Sequence, residues 1–400
     1  MACSGDHEGH TGLIRTAVHT VLVAPDSFKG SLSAHEAAEA MGEGVLHSLP
    51  DSRVIRHPVS DGGEGLCEVL TPALGGTIRR STVSGPLAGQ RVEARWGYAP
   101  ANRTAVIEMA EAAGLLLVPP ERRDPRLTTT RGVGELIRLA LEEGARTLIV
   151  GIGGSATTDG GAGMAQALGI RFLDGNGKPL GPGGAALADL ETIDGSSLLP
   201  ALRTAGVIVA CDVRNPLTGP EGAAAVFGPQ KGASPADVAL LDAALQNYRR
   251  RVREATGIDV QTAPGSGAAG GLGAGLLAFC RAELRSGIDV VLDATRFDDS
   301  LRTADLVLTG EGRIDAQSGY GKAVSGVVRR SRAAGKPVLA VVGSMSGNPE
   351  EYTGADGFDA VATLVNDETP VEEAMARAAE TLRVRVASLI RSYLDRGPDA

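Results

Sequence analysis

Aromatic side chains are scarce in this 400-residue chain, which has one tryptophan, five tyrosines and six phenylalanines. Positive charge is also in the minority, with 39 lysines and arginines against 48 acidic residues and a net charge of −9. Nucleic-acid binding draws on basic surfaces and stacking rings, so this composition argues against it and for a small-molecule partner. The four cysteines, at 3, 67, 211 and 280, form no CxxC pair and follow no signal peptide. Neither a disulfide framework nor a zinc site is suggested, and a reducing, cytoplasmic location fits. No run approaches the ~18 apolar residues of a membrane span, so no membrane partner is expected. The first twenty residues carry His7, His10 and His19 but no apolar core. They read as a frayed extension, not a metal cluster.

Glycine is the residue in excess. Its 55 copies are about twice the roughly 7% of average usage, and they are concentrated in a few stretches. The most telling is Thr147 to Gly169, where a buried apolar run (Leu148, Ile149, Val150, Ile152) breaks into Gly153, Gly154, Ser155, Thr157, Thr158, Asp159, Gly160 and Gly161 before a short helix. Strand, glycine loop and helix make an anion site, because glycine lets the backbone approach an oxyanion and helix-terminal N–H groups point at it. Asp159 adds a carboxylate for a proton or Mg²⁺. A plain turn would need fewer glycines.

The same grammar recurs along the chain. A strand at Val21 to Ala24 ends in Pro25-Asp26-Ser27-Phe28-Lys29-Gly30-Ser31, and a helix follows whose Ser33 and Glu36 form a capping-box pattern. Lys29 therefore sits where an open α/β sheet binds anions, or is a solvated surface lysine. The strand expected over Arg53 to Val59 runs into Ser60-Asp61-Gly62-Gly63-Glu64-Gly65. Its carboxylates suit Mg²⁺ or general-base work, or serve only as turn formers. From about Leu74 the chain turns to hairpin-like stretches, with β runs at 91–98 and 104–109 and a helix at 133–143. Strand 206–210 follows, with Asp212 and Asn215 behind it, and Ser234 caps a helix at 238–256. A fresh βα rhythm begins at Asp305: strand 305–309, loop Gly310 to Asp315, helix 322–334, strands 337–342 and 360–364, and a last helix opened by Thr369-Pro370.

That return predicts an α/β fold of two domains, a Rossmann-like parallel sheet from 21–73 and 297–400 interrupted by an inserted α/β domain over 74–296, with a cleft between them. The strands near 21, 54, 305, 338 and 360 should share one sheet. Two familiar motifs fail on context. Gly265-Ser266-Gly267-Ala268-Ala269-Gly270 matches GxGxxG, but Gln261 to Pro264 before it make a poor strand, so a loop-to-helix start that packs closely or lines the cleft is expected. Gly321-Lys322 would be a Walker A motif only with Gly at 316 and Ser or Thr at 323, where the chain has Ala316 and Ala323.

The linked set of motifs resembles the type I glycerate kinase family, of the bacterial glycerate 2-kinase type. It comprises APDSFKGSLSA (24–34), PVSDGGEG (58–65), GIGGSATTDGGAGMAQALG (151–169), CDVRNPLTGPEGAAAVFGPQKGA (211–233), GSGAAGGLGAGL (265–276) and TGEGRIDAQSGYGKA (309–323). The resemblance spans about 21 to 394, and no departure within the motifs removes a charged group. It implies ATP- and Mg²⁺-dependent phosphorylation of D-glycerate, with 2-phosphoglycerate favoured as product. A non-catalytic nucleotide- or sugar-acid-binding protein of the same fold is the other reading. The partners implied are ATP and D-glycerate, with the chain a monomer or homodimer.

Phosphoryl transfer needs positioning and electrostatics more than covalent help, and these loops supply both. Candidate catalytic residues are Lys29, Asp61, Asp159 and Asp212, the last two also as metal ligands. Candidate substrate and phosphate ligands are Asp26, Ser27, Lys29, Gly62, Gly63, Glu64, Gly153, Gly154, Ser155, Thr157, Asn215, Lys231, Glu311, Arg313, Asp315 and Lys322.

Overall fold

A computed structural model describes residues 18–315, 322–365 and 370–396. The N-terminal histidines at 7 and 10, Thr369 and the 316–321 part of the Gly321-Lys322 motif lie outside the described residues.

Strands Thr20–Pro25, Arg53–Arg56, Leu306–Gly310, Val338–Val342 and Ala360–Thr363 form one sheet, all parallel, in the spatial order 360, 338, 306, 20, 53. This is the sheet expected from the two ends of the chain. Its central strands are apolar throughout because both faces are covered. Leu22, Ala24, Val307, Val338 and Ala340 enter one core, and Val21, Val23, Leu306, Leu308 and Leu339 the opposite one. Helices Ala34–Ser48 and Ala378–Arg396 cover the second face through Met41, Val45, Leu382 and Val386. The capping box is present: Glu36 N donates to Ser33 Oγ (3.2 Å) and Ser33 N to Glu36 Oε2 (2.9 Å). The second strand is shorter than the expected 53–59. Backbone pairing continues past Arg56 only through His57 N to Val23 O and Val59 N to Pro25 O. Pro25, opposite them, has no N–H to donate to His57 O, so the regular ladder stops there.

The middle of the chain builds a six-stranded sheet in the order Glu283–Arg285, Gly206–Ala210, Thr147–Gly151, Thr104–Glu108, Arg91–Ala99, Thr77–Ser84. The first four are parallel and the last two antiparallel. Helices Arg131–Glu142 and Ala268–Cys280 pack on one face. Val106, Ile149 and Ala210, from three of its strands, join the core of the first sheet together with helices Leu66–Ala73 and Gly287–Ala294. The two sheets thus share a hydrophobic core.

The GxGxxG stretch packs closely, as its poor upstream strand implied. Within Ala268–Cys280 the backbone turns left-handed at Ala269, Gly270 and Gly271 (φ 52°, 67° and 90°). A Cβ on Gly270 would lie 1.9 Å from Thr157 O, so this turn buttresses the 153–160 loop.

Candidate active site

In a doubly wound sheet, ligands bind at the carboxyl ends of the strands where the strand order reverses. Here the reversal falls between Thr20–Pro25 and Leu306–Gly310. Asp26 N donates to Gly310 O (2.9 Å), which fixes the start of the Asp26–Lys29 loop. The adjacent loop, Ser60 to Gly65, reaches across to the carboxyl ends of the second sheet. Three glycines permit that contact. A Cβ on Gly62 would stand 2.7 Å from Ala210 Cβ, one on Gly151 2.5 Å from Gly62 O, and one on Gly287 1.9 Å from Asp61 O.

Two cavities flank this loop. One, of about 340 Å³, is lined by Asp61, Gly62, Gly63, Gly153, Gly154, Ser155, Asp212 and Lys322, so residues scattered over 262 positions of sequence meet there. The other, of about 320 Å³, holds Asp26, Ser27, Lys29, Ser31 and Glu64. Asp61 Oδ1 accepts from Gly63 N (2.9 Å). Asp212 Oδ1 accepts from Gly287 N (2.9 Å) and Ser286 Oγ (3.1 Å), while Oδ2 accepts neither of these bonds. One oxygen is thereby clamped, and the residue lines the cavity.

Burial pushes Asp212 above the usual carboxylate range; the Gly287 N–H and Lys322 oppose the shift and Asp61 adds to it. Asp26, only 9% exposed, is pushed up to about 6, mainly by burial and also by Asp61, against the pull of Ser27 N–H and Lys29. The folded state therefore favours protonated Asp26 relative to the unfolded chain. That contribution to stability is complete below about pH 4 and is lost as pH rises through about 6. Asp26→Asn keeps the neutral shape. It is expected to be more stable than the parent by about 1–3 kcal/mol near neutral pH and no more stable near pH 4. Denaturant midpoints at the two pH values check this, and an equal difference at both would show that the charge is not the cause.

The sequence model described as the Glycerate kinase family matches residues 21–394. The chain belongs to the glycerate kinase family. It is similar to a glycerate kinase of Bacillus subtilis strain 168 (49% identity, covering 90% of this chain and 94% of that one). It is also similar to the glycerate 2-kinase of Escherichia coli K12 (47% identity, 90% and 94%). A crystal structure from Salmonella typhimurium LT2, assigned as glycerate kinase 2, superposes with a TM-score of 0.86 at 45% identity. It covers 96% of this chain and all of that one.

Within this glycerate kinase fold several expected ligands occupy other positions. Asp159 is 1% exposed and faces inward. Its oxygens accept from Thr130 N (2.8 Å), Thr130 Oγ1 (2.9 Å), Gly161 N (3.1 Å), Gly163 N (3.2 Å) and Thr129 Oγ1 (3.4 Å). A carboxylate so engaged holds the loop together and lines neither cavity. Lys231 is equally buried, with Nζ donating to Thr157 O (2.6 Å), so it supports the glycine loop from behind and lines neither cavity. Burial pushes Lys231 down to about 7, partly opposed by Asp159. Thr157 is fully buried with them. Asn215 Nδ2 donates to Glu221 O (2.8 Å), closing its own loop. Arg313 and Asp315 belong to a short ribbon, Arg313–Asp315 beside Ser344–Ser346, and neither they nor Glu311 line the two cavities.

The structure also adds a residue. Glu108, 6% exposed at the end of Thr104–Glu108, accepts from Cys67 N (2.7 Å) and Gly65 N (3.3 Å). It ties the second sheet to the end of the Asp61 loop, and burial pushes it up. An acid following a buried strand was part of the signal that singled out Asp159 and Asp212, and Glu108, the last residue of its own buried strand, carries it too.

Proposed function

We propose that the chain transfers the γ-phosphoryl group of ATP to the 2-hydroxyl of D-glycerate, giving 2-phosphoglycerate and ADP. The observation that supports this most is the meeting of Asp61, Asp212 and Lys322 with the Gly153–Ser155 loop in one cavity. The name of the Escherichia coli relative, glycerate 2-kinase, favours the 2-position. The two sheets serve as two domains, 21–73 with 297–400 and 74–296, with the reaction between them. The enzyme is taken to work in the cytoplasm as a monomer or homodimer.

In this reading the Gly153–Ser155 loop holds the glycerate carboxylate. Asp212, with one oxygen clamped, takes the proton of the attacking hydroxyl through the other. Lys322, which favours the ionised form of Asp212, neutralises charge on the phosphoryl oxygens. Lys29 and Ser31 hold the donor's phosphates.

Mg²⁺ fits the donor set. Asp26 is raised by burial and by Asp61, an arrangement that a divalent cation relieves. Among the described residues no three or more His, Cys, Asp or Glu side chains cluster as a metal cage. Mg²⁺ commonly makes do with one or two carboxylates plus substrate phosphates. Asp26 and Asp61 would hold it, and when bound it neutralises the phosphate oxygens.

Lys29 is exposed, so its loss should spare the fold. Lys29→Ala is expected to weaken ATP binding by ~1–3 kcal/mol, or roughly 5- to 150-fold in KM. Unchanged KM and kcat would return Lys29 to the solvated surface. The overall reading is tested by coupled ADP release with D-glycerate and by phosphorus NMR of the product. ADP release with 3-phosphoglycerate would correct the position, and no release would leave a binding protein.

A further inference from the structure

Beyond Lys29, at the carboxyl ends of Leu306–Gly310, Val338–Val342 and Ala360–Thr363, lies a cleft of about 170 Å³ that the phosphoryl chemistry above does not use. Phe28, Leu364, Val371 and Met375 wall it, over a floor of Gly312 and Gly343. Val371 is 54% and Met375 45% exposed, so large apolar side chains stand open to water at a strand-end cleft.

The floor is bare backbone of necessity. A Cβ on Gly343 would lie 2.3 Å from Gly312 O, and one on Gly312 would lie 3.2 Å from Lys29 N. Both glycines are thus packed against neighbouring backbone, and neither adds a side chain to the cleft. Three of that floor's main-chain groups are paired, Gly343 N with Glu311 O (2.9 Å), Gly312 O with Ser344 N (3.0 Å) and Gly343 O with Val365 N (3.0 Å). The cleft thus offers apolar surface more than hydrogen bonds.

Its neighbour decides the occupant. Lys29 and Ser31 line both this cleft and the polar cavity of about 320 Å³ beside the Asp61 loop. A ligand lying across the two would have a flat apolar head and an anionic tail that passes a lysine. Drug-sized ligands fill pockets of ~300–1,000 Å³, so the cleft alone suits one ring system. We infer that it holds the purine base of ATP, with the phosphates running past Lys29 toward Asp61. The inference rests on the reading of ATP as donor and adds where and by what forces the base is held.

The test is a Met375→Trp variant, because the chain's own tryptophan, Trp96, is buried in the other sheet. ADP should cause a saturable loss of emission that neither tripolyphosphate nor glycerate reproduces. A second variant, Val371→Asp, should raise the KM for ATP roughly tenfold, a change of ~1.4 kcal/mol, with the KM for glycerate unchanged. If the parent turns over ATP while ADP leaves the emission constant and Val371→Asp keeps the parental KM, the base lies elsewhere and the donor reading stands. If no nucleotide supports turnover or quenches emission, both fall together.

Discussion

Asp212→Asn is expected to lower kcat by ~10²–10⁴-fold at saturating ATP and glycerate, with the Mg²⁺ midpoint left where the parent has it. Asparagine keeps the oxygen that accepts from Gly287 N and Ser286 Oγ, so the loop and its clamp survive. What disappears is the proton acceptor at the second oxygen. The parent should also lose activity as pH falls through a limb lying above the usual carboxylate range, because burial raises Asp212 and the base must be ionised to work. The residual activity of the variant should lack that limb. Asp61→Asn is expected to behave differently, raising the Mg²⁺ concentration needed for half-maximal rate. A Mg²⁺ titration of both variants separates the roles. Parental kcat in Asp212→Asn would remove it from the chemistry and leave the Asp26 and Asp61 pair to supply the base.

The sheets were legible because apolar runs such as Val21–Ala24 and Val338–Val342 are too short for helices and lie beside glycine-rich loops. The joining of both chain ends in one parallel sheet followed from the returning βα rhythm, and the pairing of Val21 with Leu306 realises it. The site was legible only as a set of loops. Asp61 and Asp159 sit beside glycines after a strand and Asp212 follows a strand without them, and local pattern does not say which way a carboxylate points. Asp61 and Asp212 face the cleft, whereas Asp159 turns inward because Thr129 and Thr130, about thirty residues earlier, present donors to it. Lys231 follows the same logic, since its partner Thr157 is brought near only by the fold. Glu108 carried the strand-end signal but no glycine loop follows it, and its partners, Gly65 N and Cys67 N, are brought near only by the fold.

The inward turn of Asp159 predicts a stability defect, not a catalytic one. Its carboxylate gathers three backbone N–H groups and two threonine hydroxyls in a site 1% exposed to water. Asp159→Ala strands these donors, and each buried unsatisfied group costs about 1–3 kcal/mol. The costs overlap, so a loss of about 3–5 kcal/mol in urea unfolding, or failure to accumulate folded protein, is expected. Asp159→Asn retains one acceptor but turns an amide NH₂ toward groups that are themselves donors, so it should be destabilised in the same direction by less. Lys231→Met tests the coupling. Added to Asp159→Asn, it removes the buried amine whose charged form Asp159 favours, and the double variant should be more stable than the sum of the single losses implies. A metal ligand would behave in the opposite way. If Asp159→Asn unfolded at the parental urea midpoint while its Mg²⁺ requirement rose, the carboxylate would have to leave its ring of donors during turnover, and the 153–161 loop would have to rearrange to release it.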